Sequence, residues 1–279
     1  MGGTFNSQRW KSPTKGDLHA YCDYPTPEDA SKLAAKLIIP QVKPGFRLGV
    51  ATGSTPEGLY AELRAAHEQG QFSLEECTAW ALDEYVGIAP DHPERYRNVL
   101  RRELVGSEKT GLKDENLHTP DGTASDPHQA ARDYEAEIAP GVDLQILGIG
   151  ADGHIGFNEP TGSLANPTNV VTLTAQTIAD NARFFDNDEA NVPKQAVTQG
   201  LSTIMKSGQA VLLAFGSQKA DAVAATVEGA VSAFWPASIL QYHLNAFIIA
   251  DEAAASKLQL TDYYRQTWQA EYPDLPLSY

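Results

Sequence analysis

Cysteine is scarce in this sequence, and the two cysteines present, Cys22 and Cys77, stand far apart in the chain. Neither has a second cysteine at the short spacing that zinc sites use. Such sparse cysteine is typical of proteins from a reducing compartment, whose cores lack disulfides. The sequence therefore predicts neither a disulfide framework nor a metal site.

Positive charge is also scarce, since 21 Lys and Arg stand against 36 Asp and Glu, for a formal net charge of -15 at pH 7. This sign argues against nucleic acid or an anionic membrane as a partner. An anionic substrate would have to be held by a few local cations. No apolar run approaches the roughly 18 residues of a membrane helix, and the N-terminus lacks the apolar core of a signal peptide. We therefore expect a cytoplasmic protein without a membrane segment.

Short apolar runs alternate with helical patterns along most of the chain, and 42% of the residues are hydrophobic, enough for a sizeable core. The predicted strands are residues 46–51, 78–82, 144–149, 210–215 and 246–250. The predicted helices are residues 26–37, 56–68, 94–104, 127–138, 193–206, 218–227 and 253–259. Such alternation predicts an α/β fold: a single doubly wound, modified Rossmann-like domain with a mainly parallel sheet and helices on both faces.

The two ends of the pattern set the expected domain limits. Residues 1–20 are polar and unpatterned, so we predict a poorly ordered N-terminal arm there. Residues 21–279 are predicted to form one domain, because no clear linker divides them. Residues 162–169 are predicted to form a loop.

The most informative segment is DLQILGIGADGHIGFNEP at residues 143–160. Its apolar start predicts a buried parallel strand, and the glycines at 148, 150 and 153 are expected to let the chain turn sharply after it. Asp152, His154 and Glu159 then follow within a few residues. A carboxylate beside one ring nitrogen orients an imidazole and raises its basicity, which predicts an acid–base group here. One histidine with two acids at this spacing matches no familiar metal motif.

Gly53, Ser54, Thr55 and Pro56 follow the first predicted strand. A glycine and two hydroxyl residues at the start of a helix form a ready phosphate site, because free N–H groups and hydroxyls point at the ligand. The same residues also serve as ordinary helix N-caps, and both interpretations stay open at this point. The motif is not a P-loop, since it lacks the Gly-Lys-Ser/Thr ending.

Two further strands are followed by charged residues. Asp83 comes after the strand predicted at 78–82, where it would suit a general base, although an N-cap role is the more common explanation. Lys219 lies in the first turn of the helix after the strand at 210–215. A cation there opposes the helix dipole, which indicates either an anionic ligand or a solvated lysine.

Arg183 stands out because residues 133–182 contain neither Lys nor Arg. Its planar guanidinium suits a phosphate group. A structural ion pair with Asp186 or Asp188 is nearly as good an explanation. The carboxyl ends of parallel strands share one edge of a sheet, so all of these residues are expected to meet in one cleft. Together they predict a cofactor-free acid–base enzyme that acts on a small phosphorylated molecule.

Taken in order, these motifs resemble those of the glucosamine-6-phosphate deaminase family, part of a superfamily shared with 6-phosphogluconolactonases. The matching blocks are TGSTPEGLY (52–60), LDEYVG (82–87), HPERY (92–96), GIGADGHIGFNEP (148–160), ARFFDND (182–188), PKQAVTQG (193–200) and GSQKADAVAATVEG (216–229). The resemblance implies a hydrolase that needs no cofactor. It would convert glucosamine 6-phosphate and water to fructose 6-phosphate and ammonia, as in N-acetylglucosamine catabolism.

The resemblance also implies roles for individual residues. Asp83 would take the C2 proton of the open-chain sugar and return a proton at C1. His154, held by Asp152 and Glu159, would handle the proton transfers of ring opening. A segment spanning residues 155–185 would act as a lid over the sugar. The residues implied to hold the phosphate are Gly53, Ser54, Thr55, Arg183 and Lys219.

Three alternatives stay open. A 6-phosphogluconolactonase would usually carry Arg at the position of Tyr85 and lack the Asn158-Glu159-Pro160 continuation, so both features favour the deaminase. A deaminase or isomerase acting on galactosamine 6-phosphate differs only in how the C4 hydroxyl is recognised. A sugar-phosphate-sensing domain of a transcription regulator is disfavoured, because no helix-turn-helix module precedes the matching blocks.

One departure from the family bears on regulation. Members activated by N-acetylglucosamine 6-phosphate carry basic residues where this chain has Asn169 and Val171. An anionic effector binds poorly without a cation, so we expect weak or absent activation. The same departure leaves both a monomer and a homo-oligomer open.

Overall fold

The computed structural model describes residues 20–275. The arm predicted at residues 1–20 falls outside this range, except that Ala20 begins the first strand. The strands are β1 (Ala20–Tyr24), β2 (Arg47–Val50), β3 (Thr78–Ala81), β4 (Asp83–Tyr85), β5 (Leu117–His118), β6 (Leu144–Gly148), β7 (Asn169–Thr172), β8 (Gln195–Thr198), β9 (Ala210–Ala214) and β10 (Ala246–Asp251). The α-helices are α1 (Pro27–Ile38), α2 (Glu57–Glu68), α3 (Tyr96–Leu104), α4 (Pro127–Ile138), α5 (Ala175–Asn181), α6 (Leu201–Ile204), α7 (Ala220–Val227), α8 (Glu252–Ala255) and α9 (Thr261–Glu271).

The main sheet has seven strands in the order β1-β10-β9-β6-β2-β3-β5, and every neighbouring pair is parallel. All residues of β9 and β10 are buried, as expected for strands covered on both faces. The helices pack around this sheet, so the predicted α/β fold with a mainly parallel sheet is confirmed. The strand order reverses between β2 and β6, which is where such folds place a ligand crevice.

A second sheet of three antiparallel strands, β4-β8-β7, was not predicted. The helix predicted at residues 193–206 is wrong, because its first half forms β8 between β4 and β7. Gly200, with an extended backbone (φ -73°, ψ 165°), separates β8 from the short helix α6. Long-range pairing, invisible in the local pattern, decides the structure of this segment.

Most of the remaining predicted elements are present with small shifts of their ends. Helix α4 has the predicted bounds, and the Asp126 side chain caps it by accepting from the backbone N–H groups of His128 and Gln129. Helix α8 ends earlier than the predicted helix at 253–259. Helices α5 and α9 and strands β1 and β5 were not predicted.

The core has two parts that bear on the site. A large apolar cluster fills both faces of the main sheet and includes the buried free thiols of Cys22 and Cys77. A separate cluster lies beside the small sheet and includes Tyr85, Phe157 and Phe185. Within residues 20–275, no helix has the length and apolar character needed to span a bilayer.

Candidate active site

A cavity of about 740 Å³ opens at the carboxyl ends of the central strands. Its lining includes seven of the nine residues singled out from the sequence: Gly53, Ser54, Thr55, Asp83, His154, Arg183 and Lys219. The other two, Asp152 and Glu159, lie behind the imidazole of His154 and contact it there. The structure therefore brings all nine residues to one place.

The loop after β2 forms one end of this cavity. Gly53 has a φ of 88°, a left-handed conformation that favours glycine, and the chain turns there. Pro56 occupies the N-cap position of α2, and no side chain caps that helix end. The hydroxyls of Ser54 and Thr55 are therefore not used as N-caps, and the Ser54 hydroxyl instead accepts a hydrogen bond of 3.4 Å from Arg183.

Two cations stand at the same end. Arg183 lies in a short 3₁₀ helix after α5, with its guanidinium 4.7 Å from the centre of the Phe184 ring. Among the described residues Arg183 makes no ion pair, so the alternative pairing with Asp186 or Asp188 is not present. Burial lowers the pKa of Lys219, and Arg183 lowers it further, against the opposing effect of Asp180. Two cations that make no ion pair among the described residues, next to the hydroxyls of Ser54 and Thr55, are the arrangement that a phosphate group would satisfy.

Asp83 is the first residue of β4 and is only 6% exposed. Burial raises its pKa to about 8, and the neighbouring Glu84 carboxyl adds to the rise, while His154 opposes it. A buried carboxyl of this kind is a suitable proton acceptor near neutral pH. Its location at the cavity wall gives it access to a bound molecule.

Glu84, and not Asp83, satisfies a helix start, although the N-cap residue of that helix, α3, is Arg95. The Glu84 carboxylate is fully buried and accepts hydrogen bonds from the backbone N–H groups of Tyr96 (2.9 Å) and Arg97 (3.0 Å). These N–H groups begin α3, so Glu84 satisfies donors that have no partner inside the helix. Burial raises the pKa of Glu84 from its ordinary value, against these hydrogen bonds.

The imidazole of His154 faces two carboxylates with a single nitrogen. Its Nδ1 lies 2.7 Å from Oδ1 of Asp152 and 3.4 Å from Oε2 of Glu159. Burial alone would lower the pKa of His154, but the two carboxylates outweigh it and raise the pKa to about 9. Burial opposes ionisation of Asp152, yet the contact with His154 lowers its pKa. Nδ1 lies against the two carboxylates without a hydrogen bond of good geometry among the described residues, and Nε2 is the nitrogen left for a ligand.

Within residues 20–275, these three side chains form a group that could hold a metal ion, because their ligand atoms lie within 4.8 Å of one another. The raised pKa of His154 favours a proton at Nδ1, in competition with any metal. The arrangement can therefore act as a proton donor and acceptor with the imidazole fixed in orientation.

The glycines of the loop after β6 serve the site in a way that differs from the prediction. Gly153 has a φ of 83° and makes the expected turn, but Gly150 does not have a positive φ. A Cβ at Gly150 would lie 2.4 Å from Cε1 and Nδ1 of His154 and 2.6 Å from Oδ1 of Asp152. Gly150 is therefore needed for the close approach of the imidazole.

Helix α5 covers one side of the cavity, and its contribution was missed by the sequence analysis. Thr177 donates a hydrogen bond of 2.6 Å to Oε1 of Glu159, and Asn181 donates one of 2.9 Å to the hydroxyl of Tyr85. The Thr174-x-x-Thr177 spacing was an available signal for this helix, since Thr174 caps it through the Thr177 N–H.

A second cavity of about 270 Å³ lies on the far side of Glu159 and is lined in part by Asn169 and Val171. None of its lining residues is Lys or Arg. An anion would find no cationic partner on its walls.

Comparison with known proteins places the chain in a family. Residues 28–248 match the family model described as glucosamine-6-phosphate isomerases/6-phosphogluconolactonase. A glucosamine-6-phosphate deaminase of Beutenbergia cavernae is 52% identical over 254 residues, covering 90% of this chain and 96% of that protein. A glucosamine-6-phosphate deaminase of Mycolicibacterium smegmatis is 49% identical over 251 residues, covering 88% of this chain and 95% of that protein.

Solved structures agree with this assignment. A monomeric glucosamine-6-phosphate deaminase superposes with a TM-score of 0.81 at 38% identity, covering 86% of this chain and 99% of that chain. A 6-phosphogluconolactonase from Trypanosoma brucei superposes with a TM-score of 0.70 at 19% identity, covering 86% and 98% of the two chains, and this likeness concerns the fold alone. The chain belongs to the glucosamine-6-phosphate isomerase/6-phosphogluconolactonase family.

Proposed function

We propose that this protein is a glucosamine-6-phosphate deaminase, which converts glucosamine 6-phosphate and water to fructose 6-phosphate and ammonia. The relatives that are about half identical over nearly the whole chain carry this name. The observation that carries the proposal is the cavity itself, where the buried carboxyl of Asp83 and the imidazole of His154 meet next to two cations.

Each residue then has a chemical role. His154 is protonated in the resting enzyme, because its pKa is about 9, so it donates a proton to the ring oxygen O5 and accepts one from O1. Asp83 takes the proton from C2 of the open-chain sugar while O1 gains a proton from His154, and Asp83 then returns its proton at C1, which leaves an imine at C2. Water adds to the imine carbon, and ammonia leaves as the C2 carbonyl forms.

The phosphate serves as a remote handle whose binding energy positions the reacting carbons. Its ligands in this proposal are Gly53, Ser54, Thr55, Arg183 and Lys219. The reaction moves protons and adds water without changing the overall oxidation state, so acid–base groups of the protein can carry it without a cofactor, as a hydrolase. A place in N-acetylglucosamine breakdown and a cytoplasmic location are part of the same proposal.

The test is ammonia release by the purified protein from glucosamine 6-phosphate, with galactosamine 6-phosphate and 6-phosphogluconolactone assayed in parallel. We expect ammonia from the glucosamine compound, and the rate with its C4 epimer reports how the C4 hydroxyl is recognised. The Asp83→Asn and His154→Gln variants should lose turnover while they still bind inorganic phosphate. Hydrolysis of the lactone without ammonia release would contradict the proposal.

We also propose that activation by N-acetylglucosamine 6-phosphate is weak or absent, since the cavity beside Asn169 and Val171 offers no cation. Substrate saturation curves with and without this compound should coincide, and a strong left shift would contradict the proposal. Light scattering of the same sample decides between a monomer and a homo-oligomer.

A further inference from the structure

The carboxylate of Glu159 is shared between the imidazole of His154 and helix α5. Its Oε2 lies 3.4 Å from Nδ1 of His154. Its Oε1 accepts the 2.6 Å hydrogen bond from the hydroxyl of Thr177, a side chain that is buried in helix α5. One carboxylate thus joins the acid–base group to a different element of the fold.

The direction of these hydrogen bonds follows from the chemistry of the groups. Thr174 Oγ1 accepts from the Thr177 N–H at 3.2 Å and lies 3.0 Å from Thr177 Oγ1, so its own proton is directed to that oxygen. An ionised carboxylate can only accept, so the Thr177 hydroxyl donates to Glu159. Thr174 itself reaches Glu159 only at 3.4 and 3.5 Å. Thr177 is therefore the main donor that holds this carboxylate.

The orientation of Glu159 depends on that donor. Within residues 20–275, Oε2 of Glu159 is buried and accepts no hydrogen bond. Asp152 already lies closer to Nδ1, at 2.7 Å, so the imidazole does not hold Glu159 strongly by itself. Without the Thr177 hydroxyl, Oε1 would be a partly buried acceptor without a strong donor, and the carboxylate would gain by turning towards water.

We propose that Thr177 is a positioning residue for the deaminase reaction, which acts through Glu159 to keep a second carboxylate against the imidazole of His154. The proposal rests on the proposed function for its kinetic consequences, but its structural part does not. The charged groups that face His154 are Asp152 and Glu159 from the loop after β6 and Asp83 from β4. Of these three, only Glu159 is held by helix α5.

Helix α5 and the turn after it also line the cavity, through Gln176, Asp180 and Arg183. Arg183, a proposed phosphate ligand, lies in this segment. The hydrogen bond from Thr177 to Glu159 therefore connects the segment to the protonation of His154. A substrate that draws this segment onto the cavity would at the same time hold Glu159 in place.

The experiment replaces Thr177 with Val, which keeps the shape and removes the hydroxyl, and with Ser, which restores it. Thr177→Ala serves as a second hydroxyl-free variant, in case the extra methyl group of Val disturbs packing. Thr172→Val on the exposed end of β7 is the matched control, since Thr172 does not line the cavity that holds Asp83 and His154. Thermal unfolding of each variant reports whether the fold is intact.

Two readouts are needed. The first is the titration of His154 by NMR, assigned by the signal that disappears in His154→Gln. The second is the pH dependence of kcat and of KM for glucosamine 6-phosphate. We expect Thr177→Val and Thr177→Ala to lower the pKa of His154 in the NMR titration by about one unit, as for the loss of one nearby carboxylate. The pKa of the alkaline limb of the kcat profile should fall by about the same amount. KM should change less than kcat, and Thr177→Ser and Thr172→Val should resemble the parent.

If Thr177 contributes only to packing, its replacement will lower thermal stability and leave both the pKa of His154 and the pH profile of kcat unchanged. That result would overturn the proposal. Failure of the proposed function is a separate outcome, because the NMR titration needs no turnover. If the parent protein releases no ammonia but Thr177→Val still lowers the titration of His154, the positioning role stands and the reaction assignment falls.

Discussion

Replacement of Asp83 by Asn should make the protein more stable at high pH and leave its stability at low pH nearly unchanged. The native pKa of Asp83 is raised from its ordinary value of 3.8 to about 8, chiefly by burial. Between these values the native state keeps a proton that the unfolded state has released, so stability falls as pH rises. Asn cannot ionise, and it therefore removes this fall.

The magnitude follows from the span of pH over which the native carboxyl stays protonated. About three pH units separate pH 5 from the pKa of about 8, and each unit corresponds to about 1.36 kcal/mol. The parent should therefore lose roughly 4 kcal/mol relative to Asp83→Asn between pH 5 and pH 9. For a domain of this size that is on the order of 10 °C in melting temperature.

The assay is urea unfolding of both proteins at pH 5, 7 and 9, monitored by circular dichroism. Asp91→Asn is the matched control, because Asp91 is exposed. His154 loses stabilisation over part of the same range, since its raised pKa of about 9 makes its contribution fade from about pH 6.5 upward. That loss is the same in the parent and in Asp91→Asn, and in Asp83→Asn it differs only by the coupling between Asp83 and His154, which is the smallest of the three effects on the pKa of Asp83. If the free energy of unfolding changes equally with pH in the parent and in Asp83→Asn, the conclusion that Asp83 is buried and uncharged is wrong.

Three further predictions concern activity and packing. The dependence of kcat/KM on pH should be a narrow bell, which rises with a pKa near 8 as Asp83 ionises and falls with a pKa near 9 as His154 loses its proton. A broad optimum centred on about pH 6 would contradict this prediction. Gly150→Ala should fold normally but lose about 100-fold in kcat, because the new methyl group displaces the imidazole, and unchanged kcat would contradict the close approach. Asp23→Ala should destabilise the protein by about 2 kcal/mol in urea unfolding, since it removes the hydrogen bonds of a partly buried ion pair with Arg265, while kcat stays unchanged.

Much of the main sheet could be predicted because its strands are continuous apolar runs of typical length. Strands β2, β3, β6, β9 and β10 all lie inside or within one residue of the predicted ranges. The small sheet could not be predicted in this way. Strand β4 is only three residues long and is made of Asp83, Glu84 and Tyr85, which carry no apolar run. It is a strand because β8 pairs with it, and pairing partners distant in sequence leave no local signal.

The site shows the same division. Residues with distinctive chemistry next to a predicted strand end, such as Asp83 and His154, could be found because the topology of parallel sheets collects strand ends. Thr177 and Asn181 could not, because a threonine and an asparagine in a polar stretch have many ordinary roles. Their contribution depends on where helix α5 lies against Glu159 and Tyr85, which is a matter of tertiary packing.

The adjacent carboxyls of Asp83 and Glu84 show why neighbouring residues of one kind take different roles. Successive side chains of a strand point to opposite faces, so one carboxyl meets the start of α3 while the other meets the cavity. Glu84 receives backbone hydrogen bonds there, which favour its charged form and oppose the rise of its pKa on burial. Asp83 receives no such compensation among the described residues, and the neighbouring carboxylate raises its pKa further. The residue that caps the helix therefore also tunes the residue that we propose as the base.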